Sequence, residues 1–174
     1  MKLLNPSVEI IQETNPLKRI ELCGRVCYKS EDRITEDSAL RFVKMLIERG
    51  HTSALEHARV ILGKEKDFPA LYGHNPPYGF YDREHTRGPL TRSINARDFI
   101  HFGGGVETLA RLHNDDCYMT VRFTCDRGIA NELVRHRVFS FSQESTRYVN
   151  YKEGVAFVRP LPFGWAERDM RNPI

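Results

Sequence analysis

"YMTVRFTCDRGIANELVRHRVFSFSQESTRYVNY", residues 118–151, changes period partway along. Its first part alternates, with Tyr118, Thr120, Arg122 and Thr124 on one side of an extended chain and Met119, Val121, Phe123 and Cys125 on the other. That is the two-residue period of a half-buried strand. Asp126 then stands where a helix N-cap stands, and Ile129, Leu133 and His136 follow at helical spacing. Arg135, His136 and Arg137 fall in the last turn of that helix and fan over about 200 degrees of it, so they cannot share one salt bridge.

Working outward, "VEIIQET" (8–14) reads as a strand, and "PLKRIELCGRVCYKS" (16–30) as a helix opened by Pro16, with Ile20, Cys23 and Cys27 near helical spacing. From Thr35 a second helix begins with Asp37 and Ser38 in a capping-like start. It carries Leu40, Val43, Leu46 and Ile47 on one stripe and ends at Gly50. "HTSALEH" then sets His51, Ser53, Glu56 and His57 in a polar loop. A strand is expected in "HARVILGKE" (57–65), a loop or insertion at about 64–90, ordered chain again in "INARDFIHF", and a short helix in "VETLARLHN" (106–114). Alternating strands and helices predict an α/β (α+β) protein, a mixed sheet with flanking helices, in one domain spanning 1–174.

Lys plus Arg number 26 against 23 Asp plus Glu, an excess of three, so the overall charge demands neither nucleic acid nor membrane as partner. Any anion site is local. No apolar run approaches a membrane span and the first residues lack a signal-peptide core, so a cytoplasmic protein is expected. Cys23, Cys27, Cys117 and Cys125 are expected as reduced thiols. The C-x3-C spacing of Cys23 and Cys27 could grip a metal, but no second Cys or His pair stands at zinc-site spacing nearby, and no metal is expected.

The Arg-His-Arg group admits two readings. Cations at a helix C-terminus satisfy its dipole and need no ligand. The continuation, in which Ser140, Ser142, Gln143, Ser145, Thr146 and Arg147 supply donors in a turn-forming run, points instead to phosphate recognition by an arginine fork with hydroxyl and backbone N–H groups.

Arg135-His136-Arg137, seven residues, then Ser145-Thr146-Arg147 resembles the signature of the flavin-dependent thymidylate synthases. "RGHTSALEH" (49–57) is similar to that family's upstream segment, and "FTCDRGIANELVRHR" leads into the motif in the family's strand-helix manner. The resemblance covers about residues 8–160, the stretch between 63 and 117 resembling the family's longer variants. It implies a homotetramer of thymidylate synthase-complementing-protein-like protomers with FAD and dUMP at subunit interfaces. It also implies conversion of dUMP to dTMP, with methylenetetrahydrofolate giving the carbon and NADPH reducing the flavin.

Carried over, His51, Ser53 and Glu56 touch the flavin and Arg135, His136, Arg137 and Gln143 hold FAD. Gln143, Glu144, Ser145, Thr146 and Arg147 form the dUMP loop. Backbone N–H groups of 144–146 and Arg147 face the nucleotide phosphate, with Ser145 near the uracil, so Ser145 and Arg147 stand closest to the chemistry. Ser145 has no partnered base in the sequence and is assigned to positioning rather than nucleophilic attack.

The chain departs from the family in stopping at "PFGWAERDMRNPI", short of the helical second half, which leaves a catalytically incomplete FAD- and nucleotide-binding fragment as the alternative. An Asn-x-Arg segment, Asn95-Ala96-Arg97, stands before the motif instead of after it, and no ligand role is transferred to it. Two rivals use other residues. A nucleic-acid module would draw on Arg122, Arg127, Arg135, Arg137 and Arg147 with Phe139, Phe141 and Tyr148. A cysteine nucleophile, as in the folate-only class of thymidylate synthase, would be Cys117 or Cys125, both expected to be inert through strand burial and distant in sequence from the motif.

Overall fold

The structure, a computed structural model, describes residues 2–62, 92–115, 117–147, 149, 151–152 and 154–159. The loop expected at 64–90 lies outside them. Asn15 caps the first helix, α1 (Pro16–Tyr28), its side chain accepting from the N–H groups of Leu17 and Lys18 at 3.0 and 3.1 Å. Pro16 sits in the first turn, where its missing N–H is no loss. Helix α2 (Ser38–Glu48) begins one residue after Asp37, which makes no side-chain cap. Ser38 instead closes the turn, accepting from Thr35 N–H at 2.9 Å. At its other end Gly50 takes φ +70°, and the N–H of His51 reaches back to Leu46 C=O at 2.8 Å, the Schellman closure that a left-handed glycine permits.

Helices and short strands together make the α/β protein expected, and among the described residues the strands form three small sheets. Among the described residues β1 (Lys2–Leu4) pairs in parallel with β7 (Ala156–Val158), and β2 (Ser7–Ile10) runs antiparallel to β6 (Val121–Thr124). The third sheet has β3 (Arg59–Leu62) at its centre, flanked by β4 (Arg92–Asn95) and β5 (His113–Asn114), both antiparallel to it. Val60, Leu62 and Ile94 turn into the core from alternate positions of β3 and β4 and meet Leu17, Ile20, Val43, Leu46 and Leu55. Helices α3 (Ala96–His101) and α4 (Val106–Leu109) close the cluster with Phe99 and Leu109. Gly104 lies against the Phe99 ring so closely that an added Cβ would sit 2.4 Å from it.

Buried Arg19 joins α1 to the segment before β6. Its Nε donates to Glu13 C=O at 2.8 Å and its Nη1 to Tyr118 C=O at 3.3 Å. The strand expected over 118–125 is half that length, and it is not half buried: Met119 and Phe123 are exposed. Cys117 is exposed and outside the strand, and Cys125 is partly exposed, so strand burial does not explain an inert thiol at either position.

Candidate functional site

Asp126 caps α5 (Arg127–Leu133), accepting from Gly128 and Ile129 N–H at 2.8 and 3.2 Å. The helix stops at Leu133, earlier than its pattern suggested. Arg135, His136 and Arg137 therefore lie on the exit turns rather than fanned around a helix. Val134 and its neighbours form those turns, with the N–H of Arg135 and His136 bonded to Glu132 and Leu133 C=O at 3.1 Å each. Arg135 pairs on the surface with Glu132 at 3.0 Å, and Arg137 has no ion pair among the described residues. Val138 and Phe139 follow, 87% and 66% exposed, and Phe139 stacks edge-on against Phe141.

The last turn of α1 gathers the two motif segments, a role no sequence pattern assigned to it. Ser145 N–H donates to Cys27 C=O at 3.1 Å, and the Ser142 side chain and the Gln143 backbone lie near enough to the Cys27 thiol to act on its titration. Tyr28 OH and His51 Nδ1 are 2.5 Å apart, with the two rings stacked at 6.2 Å. Lys29, in the left-handed conformation at φ +48°, reaches Glu144 at 3.6 Å, and Glu144 also accepts from Tyr151 OH at 2.7 Å. Arg147 N–H donates to Ser145 Oγ at 3.2 Å. The Ser145 amide is thus committed to α1 in this conformation, and its hydroxyl has no base beside it among the described residues.

Glu56 lies on the short 3-10 turn Thr52–His57 and holds the second junction. Ser140 donates to its Oε2 at 2.6 Å, and Arg97 pairs with its Oε1. Ser53, on the same turn, is exposed. The Asn-x-Arg segment, given no role by its position in the sequence, thus reaches the residues that follow Arg-His-Arg. His51, Glu56, Gln143 and Ser145 are drawn toward α1 and the 138–147 segment, while Arg135, His136, Arg137, Thr146 and Arg147 face solvent.

Electrostatics set the protonation of the cluster. Burial pushes the Cys23 thiol up to about 12, against the opposing pull of Arg19. Burial raises Cys27 as well, with Ser142 and the Gln143 backbone acting in the other direction. Both are therefore neutral thiols at physiological pH and poor nucleophiles, and among the described residues no cluster suited to a metal occurs. Burial alone would raise the Glu56 carboxyl, but the Ser140 hydroxyl and the Arg97 guanidinium outweigh it and hold it below its usual range. Burial depresses His57, opposed by Glu56 and aided by Arg19, and among the described residues its Nε2 has no hydrogen-bond partner.

Both shifts make the fold acid-sensitive. The unfolded chain protonates His57 first, so that contribution is complete above the ordinary histidine value of 6.5 and is lost as pH falls below it. The Glu56 contribution is complete above its ordinary value of 4.5 and is lost as pH falls through the lower folded value. A His57→Gln chain is expected to show a flatter fall in Tm between pH about 7 and 5 than the parent. An unchanged slope would show that the imidazole is not what titrates.

Among the described residues no helix is long and apolar enough to cross a membrane. The family model for thymidylate synthase complementing protein matches residues 9–67 and 115–171, more than half of the chain. The resemblance expected across 63–117 is therefore not continuous: residues 68–114, with β4, α3, α4 and β5, fall between the matched stretches. No curated protein matches the chain, and no solved structure does. The two matched stretches are the ones that the last turn of α1 and Glu56 bring together, and on that match the chain belongs to the thymidylate synthase complementing protein family.

Proposed function

We propose that the protein is a flavin-dependent thymidylate synthase that binds FAD and dUMP and forms dTMP, with methylenetetrahydrofolate as carbon donor and NADPH as reductant. One observation carries this reading. Ser145 on Cys27 and Ser140 on Glu56 tie the hydroxyl-rich loop and the "HTSALEH" turn into one cluster, with arginines left exposed on either side of the loop. That donor set fits a flavin dinucleotide and a nucleotide monophosphate. Arg137 and Arg135 offer fixed cations to a diphosphate, and Arg147 offers one to a single phosphate.

The flavin, when bound, supplies the hydride, which is why no protein nucleophile is needed. With the Ser145 amide held by Cys27, the amides of Glu144 and Thr146 and the Arg147 guanidinium take the phosphate of dUMP. Ser145 Oγ, accepting from Arg147 N–H, braces the loop and places the pyrimidine. Tyr28 and Glu56 orient His51 and Ser140 rather than react.

A homotetramer with shared sites fits the surface. Helix α5, which delivers the motif, has no buried residue, and Val8, Met119, Phe123, Val138 and Phe139 are all exposed apolar groups. Such patches on one protomer mark contact surfaces. A cytoplasmic setting suits four cysteines that form no disulfide.

The test is titration of the purified chain with FAD and then dUMP, following flavin absorbance and fluorescence, with molecular mass measured alongside. Binding of both by a tetramer supports the reading. Binding without turnover of methylenetetrahydrofolate and NADPH reduces it to an FAD- and nucleotide-binding fragment, and a folded chain that ignores FAD refutes it.

A further inference from the structure

Arg97 lies between the two stretches that the family model matches, so its placement is a property of this chain's own structure. Strand register delivers it. Arg59 of β3 opposes Asn95 of β4, and Ala96 N–H extends the ladder to Ala58 C=O at 2.9 Å, so the next residue arrives beside the end of the 3-10 turn. Asn95 fixes the direction of α3, accepting from Arg97 N–H at 2.8 Å through Oδ1 while its Nδ2 lies 3.5 Å from Glu56 C=O. Arg97 then meets one oxygen of the Glu56 carboxylate while Ser140 donates to the other at 2.6 Å.

We propose that Arg97 is a positioning residue that acts through Glu56 and Ser140 to fix the chain between Arg137 and Ser142, and so the spacing between the Arg-His-Arg turn and the nucleotide loop. The proposal rests on the functional reading above for its consequence in ligand binding. A lone ion pair in which Arg97 is 49% exposed and Glu56 26% exposed has little effect on stability. This pair differs in sharing its carboxylate with a hydroxyl from a third segment, so that α3, the 3-10 turn and the motif loop are coupled through one group. The loop is held again at Ser145, whose N–H donates to Cys27 C=O at 3.1 Å. Just ahead of the Ser140 anchor it carries the exposed Val138 and Phe139, the latter edge-on against Phe141.

The experiment measures backbone amide exchange of the full chain without ligand, and the affinities for FAD and dUMP, for Arg97→Ala, Arg97→Lys, Ser140→Ala and the double variant Arg97→Ala with Ser140→Ala. Arg97→Ala is expected to speed exchange across 138–143 by roughly tenfold while leaving α2 unchanged, and to weaken FAD binding by a similar factor. Lysine recovers part of both effects, because it restores the charge without the planar fork. The double variant is no worse than the more severe single one, as members of one network are not additive.

Unchanged exchange across 138–143 overturns the proposal, as does exact additivity of the two substitutions. Loss of dUMP affinity alone, with exchange unchanged, would make Arg97 a substrate contact instead. Because exchange is read without ligand, a parent chain that binds no FAD refutes the functional reading while leaving the positioning role to stand or fall on the exchange data.

Discussion

An Arg147→Ala chain is expected to bind dUMP roughly 30-fold more weakly while holding FAD within about twofold of the parent. Arg147 is exposed at the end of the hydroxyl-rich loop and has no ion pair among the described residues. Its backbone is nevertheless placed, with its N–H on Ser145 Oγ at 3.2 Å and Ser145 N–H on the carbonyl that ends α1 at 3.1 Å. A guanidinium on a braced loop loses less entropy on meeting a phosphate than one on a free chain. Hydrogen bonds to charged groups contribute about 1.5–3 kcal/mol, which is on the order of 10- to 150-fold in affinity.

FAD binding should barely register the change, because the cations proposed for it stand on the turns after α5, ten or more residues earlier in the chain. Arg137→Ala supplies the opposite pattern, with FAD weakened more than dUMP. Arg135→Ala should do less than Arg137→Ala, since Arg135 is shared with Glu132. Calorimetric titration of each ligand decides the matter. Equal losses of FAD and dUMP in the Arg147 variant would end the division of the two arginine groups between the two ligands.

The elements that local chemistry determines were legible from the residues. Pro16 opening α1, Gly50 ending α2 and Asp126 capping α5 each act on backbone groups within four residues, and the sequence displays both partners. The hub of the site was not legible. Cys27 reads as a small core residue on a helix face, yet its carbonyl holds Ser145, more than a hundred residues on. Tyr28 meets His51 at a separation of 23 residues, and Arg97 meets Glu56 at 41. Helical spacing reports which residues share a face and says nothing of what that face meets. The Asn-x-Arg pattern was visible, but only the register of β3 against β4 carries it to Glu56. The exit turns after Leu133 misled for a related reason: His136 keeps helical spacing, but α5 buries nothing that would hold another turn in place.

Glu21→Ala should be the most destabilising single change, lowering stability by about 3–5 kcal/mol and Tm on the order of 10 °C. Glu21 is 1% exposed, and its Oε1 takes Arg25 Nε and Nη2 at 2.7 Å each while its Oε2 accepts from Ser38 at 2.9 Å. The arginine is also buried, its guanidinium 4.5 Å from the centroid of the Phe42 ring. Alanine removes the carboxylate and leaves that charge among apolar groups of α1 and α2, where no other described acid pairs with it. The large loss measures an orphaned cation and not the worth of the pair.

A triple variant, Glu21→Leu with Arg25→Met and Ser38→Ala, separates the two quantities and should regain most of the stability, because no unpaired charge remains. A Glu21→Ala chain as stable as the parent would show that α1 and α2 do not depend on this group. The ligand readout then carries the argument to the site. Arg25 also donates to Ser30 C=O at 3.4 Å, closing the end of α1 where Cys27, Tyr28 and Lys29 collect the motif segments. If the triple variant recovers Tm but binds FAD and dUMP weakly, the buried pair serves to aim that last turn. If affinity returns with stability, packing of α1 on α2 is sufficient to place it.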